Sequence, residues 1–502
     1  MSIGPLSTSI GWTQGLLDMR EQMVDLQRQF GTGKKAETYG DLGGDRTISL
    51  AMRARISEVD SYSSTIQTMQ LRTSAMTLVF DRGLELVNQT RSDAATQSFE
   101  VVENGQTAMQ QRAEISLEEM LSLLSTEVAG RHLFAGRDVD SDPVAGLSAI
   151  LDGEGGKAGF RQHLDERRQA DLGADGLGRL TVPAPVGADV SIAEDAAGSP
   201  FGFKISAVNS TLSGTTVTGP AGSPSTATVS FSATPPASGE SIRVELTMPD
   251  GTVSSVVLTA VAAGEGGGPD TFEIGADETA TAANFQAALV QSIEHAAATE
   301  LAAASGFAAA QDFFAIDGAN PPQRVDGPPF DSATALRDAT ATDTVHWYTG
   351  DDDTTVSART TSVATVDDQV NVAYGARANE EAFTWLIQNL AVLATETFDE
   401  TVEADRERYS EMSERAMANF SYPDGRQTID AIYAQIATVQ YVGEQAESRH
   451  TTTKTMAETL VAEIEVADTN EVAVSLLSLQ TRLQASYQVT SILAQMNLAN
   501  FL

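Results

Sequence analysis

Two stretches at opposite ends of this chain carry the same apolar rhythm, and that pairing limits the folds open to it more than any other feature. Near the N terminus Trp12, Leu16, Met19, Met23, Leu26 and Phe30 fall at alternating steps of four and three residues, the spacing that lines side chains along one seam of an α-helix. Near the C terminus Val472, Leu476, Leu479, Leu483 and Tyr487 nearly repeat it. Chain ends ordinarily fray, because nothing obliges their burial. A seam at each end asks for a partner, and folding the chain back on itself lays the two arms side by side.

The last helix asks for more than one partner. Val489, Ile492, Leu493, Met496, Leu498 and Phe501 spread over more than half of its circumference, the pattern of a helix packed among several neighbours. Either the arms zip together as one intramolecular coiled coil, with the surplus apolar residues folded onto other helices of the chain, or neighbouring subunits cover them. The subunit-interface candidates are therefore the eleven seam residues named above together with Leu493, Met496 and Phe501.

The interior of the sequence divides by periodicity. The first helix should end near Phe30, at Gly31, Thr32 and Gly33. A long helix is predicted from about Thr47, with a seam through Ile48, Met52, Ile56, Val59, Tyr62, Ile66, Met69, Met76, Phe80, Leu84 and Val87. The seam resumes at Ala113, Leu117, Met120, Leu124 and Val128, so an unbroken helix would be on the order of 100 Å long, with Asn104-Gly105 as the place for a break. From about Asp138 to Thr344, strand-like runs take over. Ser241-Ile-Arg-Val-Glu-Leu-Thr-Met and Thr252-Val-Ser-Ser-Val-Val-Leu-Thr, joined by Pro249-Asp-Gly, read as a hairpin. Ala280 to Phe314 reads as one or two Ala-rich helices. Helical character returns near Gln369, with seams at Phe383, Ile387, Leu390 and Ala394 and at Ile429, Ile432, Ile436 and Val439. Asp468 or Thr469 is placed to cap the last helix.

Composition narrows the function. The 502 residues hold 31 basic and 69 acidic side chains, a net charge of -38, which repels phosphate backbones and anionic lipid surfaces alike. Neither nucleic acid binding nor membrane insertion is expected, and no stretch approaches the roughly 20 apolar residues of a membrane span. Cysteine is absent, which excludes disulfides and thiol nucleophiles. Met1 to Gln14 lack the cationic and apolar regions of a cleaved signal peptide.

Three segments carry a family resemblance. Leu26-Gln-Arg-Gln-Phe-Gly-Thr-Gly-Lys-Lys, Gly130-Arg-His-Leu-Phe-Ala-Gly-Arg and the stretch from Ala485 to Leu502 resemble the first-helix ending, the Leu-Phe-Ala-Gly loop and the C-terminal helix of the bacterial flagellin family. Asp41-Leu-Gly-Gly-Asp and the Asn500-Phe501-Leu502 terminus are most similar to its hook-filament junction branch, the hook-associated proteins; Gly31 departs from the family's usual Ser. The resemblance covers about residues 1–137 and 345–502. It implies a mainly α fold with an α+β insertion, in which paired N- and C-terminal coiled-coil helices form a rod and a β-rich domain is inserted between them. The implied segments are a polymerisation helix and linker (1–46), the first half of the rod (47–137), a surface-exposed insertion (138–345), the second half of the rod (346–460) and a C-terminal polymerisation helix (461–502). It further implies export without a cleaved signal through the flagellar type III channel and an extracellular place in the flagellum. The implied contacts are self-association, adjacent hook-associated protein and flagellin subunits, and an export chaperone. A filament subunit and a monomeric surface protein that binds a glycan or receptor are the alternatives.

No catalytic group, cofactor or metal site is expected. The five histidines, at 132, 163, 295, 346 and 450, have no paired metal-ligand spacing; His132 lies in the loop match, and the others read as surface residues. Gly31-Thr-Gly-Lys-Lys lacks the first Gly and the Ser or Thr of a phosphate loop. Asp138, Asp140 and Asp142 begin like a calcium loop, but Pro143 stands where Gly is needed and Ala149 where Glu is needed. The Asp351-Asp352-Asp353 run reads as a solvated loop.

Overall fold

The structure is a computed structural model and describes residues 5–96, 98–103, 105–265 and 268–499. The chain is mixed α+β. It begins with α1 (Pro5–Thr32) and the 50-residue α2 (Arg46–Ala95). The strands β1 (Val101–Glu103) and β2 (Gln106–Thr107) then lead into α3 (Ala108–Leu124), α4 (Leu147–Asp152) and α5 (Phe160–Leu172). A β-rich region follows, with β3 (Leu180–Thr181), β4 (Asp189–Glu194), β5 (Lys204–Ser210), β6 (Thr215–Ala221), β7 (Thr226–Phe231), β8 (Ser241–Thr247), β9 (Val253–Val261) and β10 (Thr271–Glu273). Helices α6 (Glu278–Ala296) and α7 (Ala302–Phe314) come next, then the hairpins β11 (Gln323–Val325) with β12 (Leu336–Asp338) and β13 (Val363–Asp367) with β14 (Val370–Ala373). The chain closes with α8 (Glu381–Thr395), α9 (Glu403–Asn419), α10 (Ile429–Glu465) and α11 (Thr469–Ala499).

Two compact units share these elements. The first draws on Met1–Gln70, Ala364–Val372 and Tyr441–Leu502, and the second on Leu71–Val363 and Ala373–Gln440.

In the second unit, two four-stranded sheets, β10-β9-β8-β5 and β3-β4-β7-β6, share one apolar core. The expected hairpin is β8 and β9, paired from Ser241–Thr259 to Thr247–Val253. Its inward residues Ile242, Val244 and Leu246 and, on β9, Val256, Leu258 and Ala260 are buried at alternate positions, which fixes the register because a one-residue slip would turn all of them outward. Helix α6, capped by the Asp277 carboxylate on the Ala280 N–H (2.7 Å), adds Phe285, Leu289 and Ile293 to that core.

The helices of the chain differ from the sequence expectation in two places. The second seam does not continue α2: β1 and β2 reverse the chain, with Gly105 at φ +75, and Asn104 lies outside the described residues. Thr107 and Gln110 form a capping box that starts α3 afresh. Helix α3 then runs back along α2, as the pairs Arg82–Glu119 (2.6 Å) and Arg112–Asp93 (2.9 Å) show. Residues near Gln369 likewise form the β13–β14 hairpin, and helix resumes only at Glu381. Helix α8 is buried on almost every side, polar Asn389 included. It is a central helix, as its all-round apolar composition requires.

The Leu-Phe-Ala-Gly loop closes this core. Leu133, Phe134 and Ala135 are buried, and the Phe134 ring meets Phe80 of α2 at 6.1 Å and Phe383 of α8 at 5.7 Å. Gly136 takes φ +67, and a Cβ there would lie 2.8 Å from Asp351 Cβ. Asp351 also differs from its sequence expectation. It is not a solvated acid but a buried carboxylate paired with Arg137 (2.8 Å) and Arg377 (3.0 Å). Those guanidinium groups, Arg137 foremost, hold it far below the usual carboxylate range. The Asp138–Asp142 turn is solvent-exposed at all three carboxylates, with Asp142 accepting from Ser125 Oγ at 2.7 Å.

Two histidines read as surface residues are buried, His163 and His450. His163 sits edge-on to Phe313 at 4.9 Å, and burial, with the Arg324 cation nearby, lowers its pKa to about 4. The unfolded chain therefore binds a proton below pH about 6.5 that the folded unit refuses until about pH 4. Stability from this group is complete above pH about 6.5 and should fall by about 3 kcal/mol as pH drops toward 4. Urea unfolding at pH 7 and pH 5 should show a smaller difference in His163→Gln than in the wild type; equal differences would contradict this.

Candidate assembly interface

The first unit is built from both ends of the chain. Along α2 and α10, Val59, Ile66 and Met69 are buried, as are Ala446, His450 and Ala457. The pairs Arg53–Glu465 and Asp60–Lys454 match early residues with late ones, so the helices run antiparallel. The segment Ala364–Val372 lies against them: His450 Nε2 is 2.7 Å from the Val366 carbonyl oxygen, and its ring stacks on Tyr62 at 5.4 Å.

The terminal helices are pinned where one ends and the other begins. Gly33, at φ +66, closes α1 by donating its N–H to Gln29 O at 2.8 Å, the left-handed cap that glycine adopts without strain. Just beyond, Lys35 N donates to Glu465 O (2.8 Å) and Ala467 N to Gly33 O (2.9 Å), forming an antiparallel bridge between Lys34 and Val466. The Glu465 side chain accepts from Arg53 (2.8 and 2.5 Å) and from Ser49 Oγ (2.5 Å). Arg53 above all holds its pKa down to about 2. Asp468 caps α11, accepting from Asn470 N at 2.8 Å. From this junction α1 and α11 lie side by side and antiparallel.

Their packing divides the interface candidates. Val472, Leu479 and Leu483 are buried, and Leu16, Met19, Met23, Leu26 and Leu476 are half-buried. Trp12, Phe30 and Tyr487 stand more than half exposed. Leu493 and Met496 have side chains outside what is described, and Phe501 lies outside the described residues altogether.

The structure also exposes apolar residues that the heptad reading passed over. Leu17 and Val24 are 60% and 62% exposed, Val474 and Leu477 71% and 68%. Leu17 and Val24 are seven residues apart and Val474 and Leu477 three, so each pair lies on one helix face. A search for a second stripe beside the first would have found them. Further along the same unit, Met456 and Leu460 of α10 line a shallow cleft of about 610 Å³ among threonines. The two terminal helices also carry almost no net charge. Helix α1 has three acidic and two basic side chains, and α11 has only Glu471 and Arg482. Such a surface carries exposed apolar side chains and little net charge and is left open by the chain's own packing, the character of a site that another molecule covers.

Among the described residues no group of three His, Asp or Glu side chains converges as a metal would require, and no helix is long and apolar enough to cross a membrane. No protein-family model matches the sequence, and no curated protein matches it.

Because Glu465 has a folded pKa of about 2 against 4.5 for a free glutamate, its stabilisation is present above pH about 4.5 and is lost as pH falls toward 2. Glu465→Gln should lower stability at pH 7 by about 1–2 kcal/mol, discounted for the exposure of Arg53. Near pH 2 it should cost almost nothing. Thermal unfolding followed by circular dichroism at both pH values checks this; an equal loss at both would contradict the assigned role.

Proposed function

We propose that this chain is a structural subunit of the bacterial flagellum, a junction protein that links hook to filament through self-assembling terminal helices. The observation that carries the reading is the apolar surface left open on the paired α1 and α11, at Trp12, Leu17, Val24, Val474 and Leu477. Two helices can cover one face of each other and no more. Copies of the same chain, and the hook-associated and flagellin subunits above and below, would supply the remaining cover.

The sequence resemblance supports the same reading. In this proposal the long helices α2 and α10 form the rod of a coiled-coil assembly, and the β-rich region faces outward. The chain leaves the cell through the flagellar export channel, with a chaperone shielding its terminal helices until neighbours replace it. The length of the β-rich insertion favours a second reading, the filament subunit itself. Immunogold labelling of intact flagella with antibody to the insertion separates the two. A band between hook and filament is expected; label along the whole filament selects the second reading, and no flagellar label sinks both.

The exposure pattern supplies a sharper test than truncation. Val474 and Leu477 touch little within the chain, so Val474→Asp with Leu477→Asp should block assembly and leave the folded chain intact. Leu479 is buried, and Leu479→Asp should instead undo the α1–α11 pairing, because an unpaired charge there is costly to bury. Normal assembly by the Val474→Asp, Leu477→Asp variant would refute the proposed interface.

A further inference from the structure

We infer that the cleft at the start of α8 is a binding site for a neutral sugar, a single pyranose held by the Gln388 carboxamide and the hydroxyl groups of Thr384 and Thr354. This binding is independent of the assembly proposed above, because no residue of the site belongs to α1 or α11.

The cleft lies wholly within the second unit and has a volume of about 310 Å³, near the lower end of small-molecule sites. One wall is the first turns of α8, and the others are Ile316 and Asp317 after α7, the loop holding Thr354 and Ala358, and Arg426 ahead of α10. Gln388 is the group that needs a partner. Its side chain lines the cleft and is only 7% exposed, yet its carboxamide has no hydrogen-bond partner among the described residues. A carboxamide buried in that state is costly and rare in a folded protein. The next residue shows how the fold treats an amide it uses: Asn389 Nδ2 donates to Trp385 O at 2.7 Å, and Asn389 Oδ1 accepts from Asn419 at 2.8 Å. Thr384 stands one helical turn before Gln388, on the same face of α8. Its hydroxyl and that of Thr354 are likewise without a partner among the described residues.

The charged groups around these three are already committed. Glu381 accepts from Arg426 Nη1 at 3.0 Å and from Gln427 N at 3.2 Å, and Glu380 accepts from Arg359 and from Arg377 N. Asp317 accepts from the backbone N–H groups of Ala319 and Asn320, and Arg377 pairs with Asp351. Arg426 also lies over the Trp385 ring at 3.7 Å, while Trp385 Nε1 donates to Asn419 O at 2.7 Å. The rim is thus set before any ligand arrives, which lowers the cost of binding. An ion entering the cleft finds no free counter-charge there. What stays open is neutral, and each open group can both donate and accept. Three such groups around so small a space match a molecule with a hydroxyl on nearly every carbon, and Ile316 and Ala358 offer apolar contact to the C–H face of its ring.

The test is saturation-transfer NMR of the full chain with methyl glucoside, methyl galactoside and methyl mannoside, each titrated to about 50 mM so that millimolar dissociation constants are resolved. At least one should bind saturably, and sodium glucuronate should not. Gln388→Met keeps the length of the side chain without its polar atoms and should weaken binding about tenfold, the worth of one hydrogen bond. Thr354→Val, at an exposed position, should weaken it as well, and keeps the test decisive where the buried variant fails to fold. A trisaccharide ending in the sugar that binds separates two sources of the ligand: equal or weaker affinity identifies a free sugar, and tighter binding identifies the end of a glycan chain. No saturable binding by any of the methyl glycosides overturns the site. So does binding that neither variant weakens, because the sugar would then sit elsewhere on the molecule. Glucuronate bound as tightly as the neutral glycosides overturns the ligand class.

Discussion

Phe134 is the side chain on which three remote parts of the second unit converge. It reaches Phe80 of α2 and Phe383 of α8 from a loop that belongs to neither, and all three rings are fully buried. Rings at these separations add edge-to-face attraction to a large apolar burial. The loop holds its place because Gly136 allows a turn that a side chain would block and because Asp351 fastens the next residue, Arg137, to Arg377 ahead of α8. Removing one partner would leave a buried charge uncompensated, so the ion pairs act more as a constraint on loop position than as a source of net stability.

The sequence reveals helices and hairpins here because their signals are local. The heptad spacing marks α1 and α11, Pro249-Asp250-Gly251 marks the turn between β8 and β9, and Asp468 marks the start of α11. What it conceals is non-local. Asp351 looks like part of a solvated acidic run because its partner Arg137 lies 214 residues earlier. His450 looks like a surface residue because the carbonyl and the ring that enclose it come from Val366 and Tyr62. The reversal between α2 and α3 is hidden for another reason, since both helices carry good seams and only the short polar stretch between them decides whether they join end to end or pack side by side. At the candidate interface, the spacing identifies the residues that hold α1 to α11. It does not separate Leu479, which that pairing buries, from Val474 and Leu477, which it leaves outside.

A division of labour between the units follows from their surfaces. The second unit spends its apolar residues inward, on the two sheets, α6 and α8, and shows carboxylates outward. A high net charge of one sign favours solubility and discourages contact between bodies. The first unit has little net charge on its terminal helices and more apolar surface than it can cover. A chain with this distribution has one adhesive region and one repellent region, and the adhesive one is made from its two ends.

That origin has a consequence for the order of folding. Arg53 and Glu465 are 412 residues apart in the chain, and closing so long a loop carries an entropic cost that must be met before any contact within the first unit repays it. The second unit draws only on residues that lie between those two partners in the chain. The first unit is complete only when the last helix has joined the first, so the earliest residues to emerge wait for the latest. Through all of that interval the apolar stripe of α1 has no cover within its own chain.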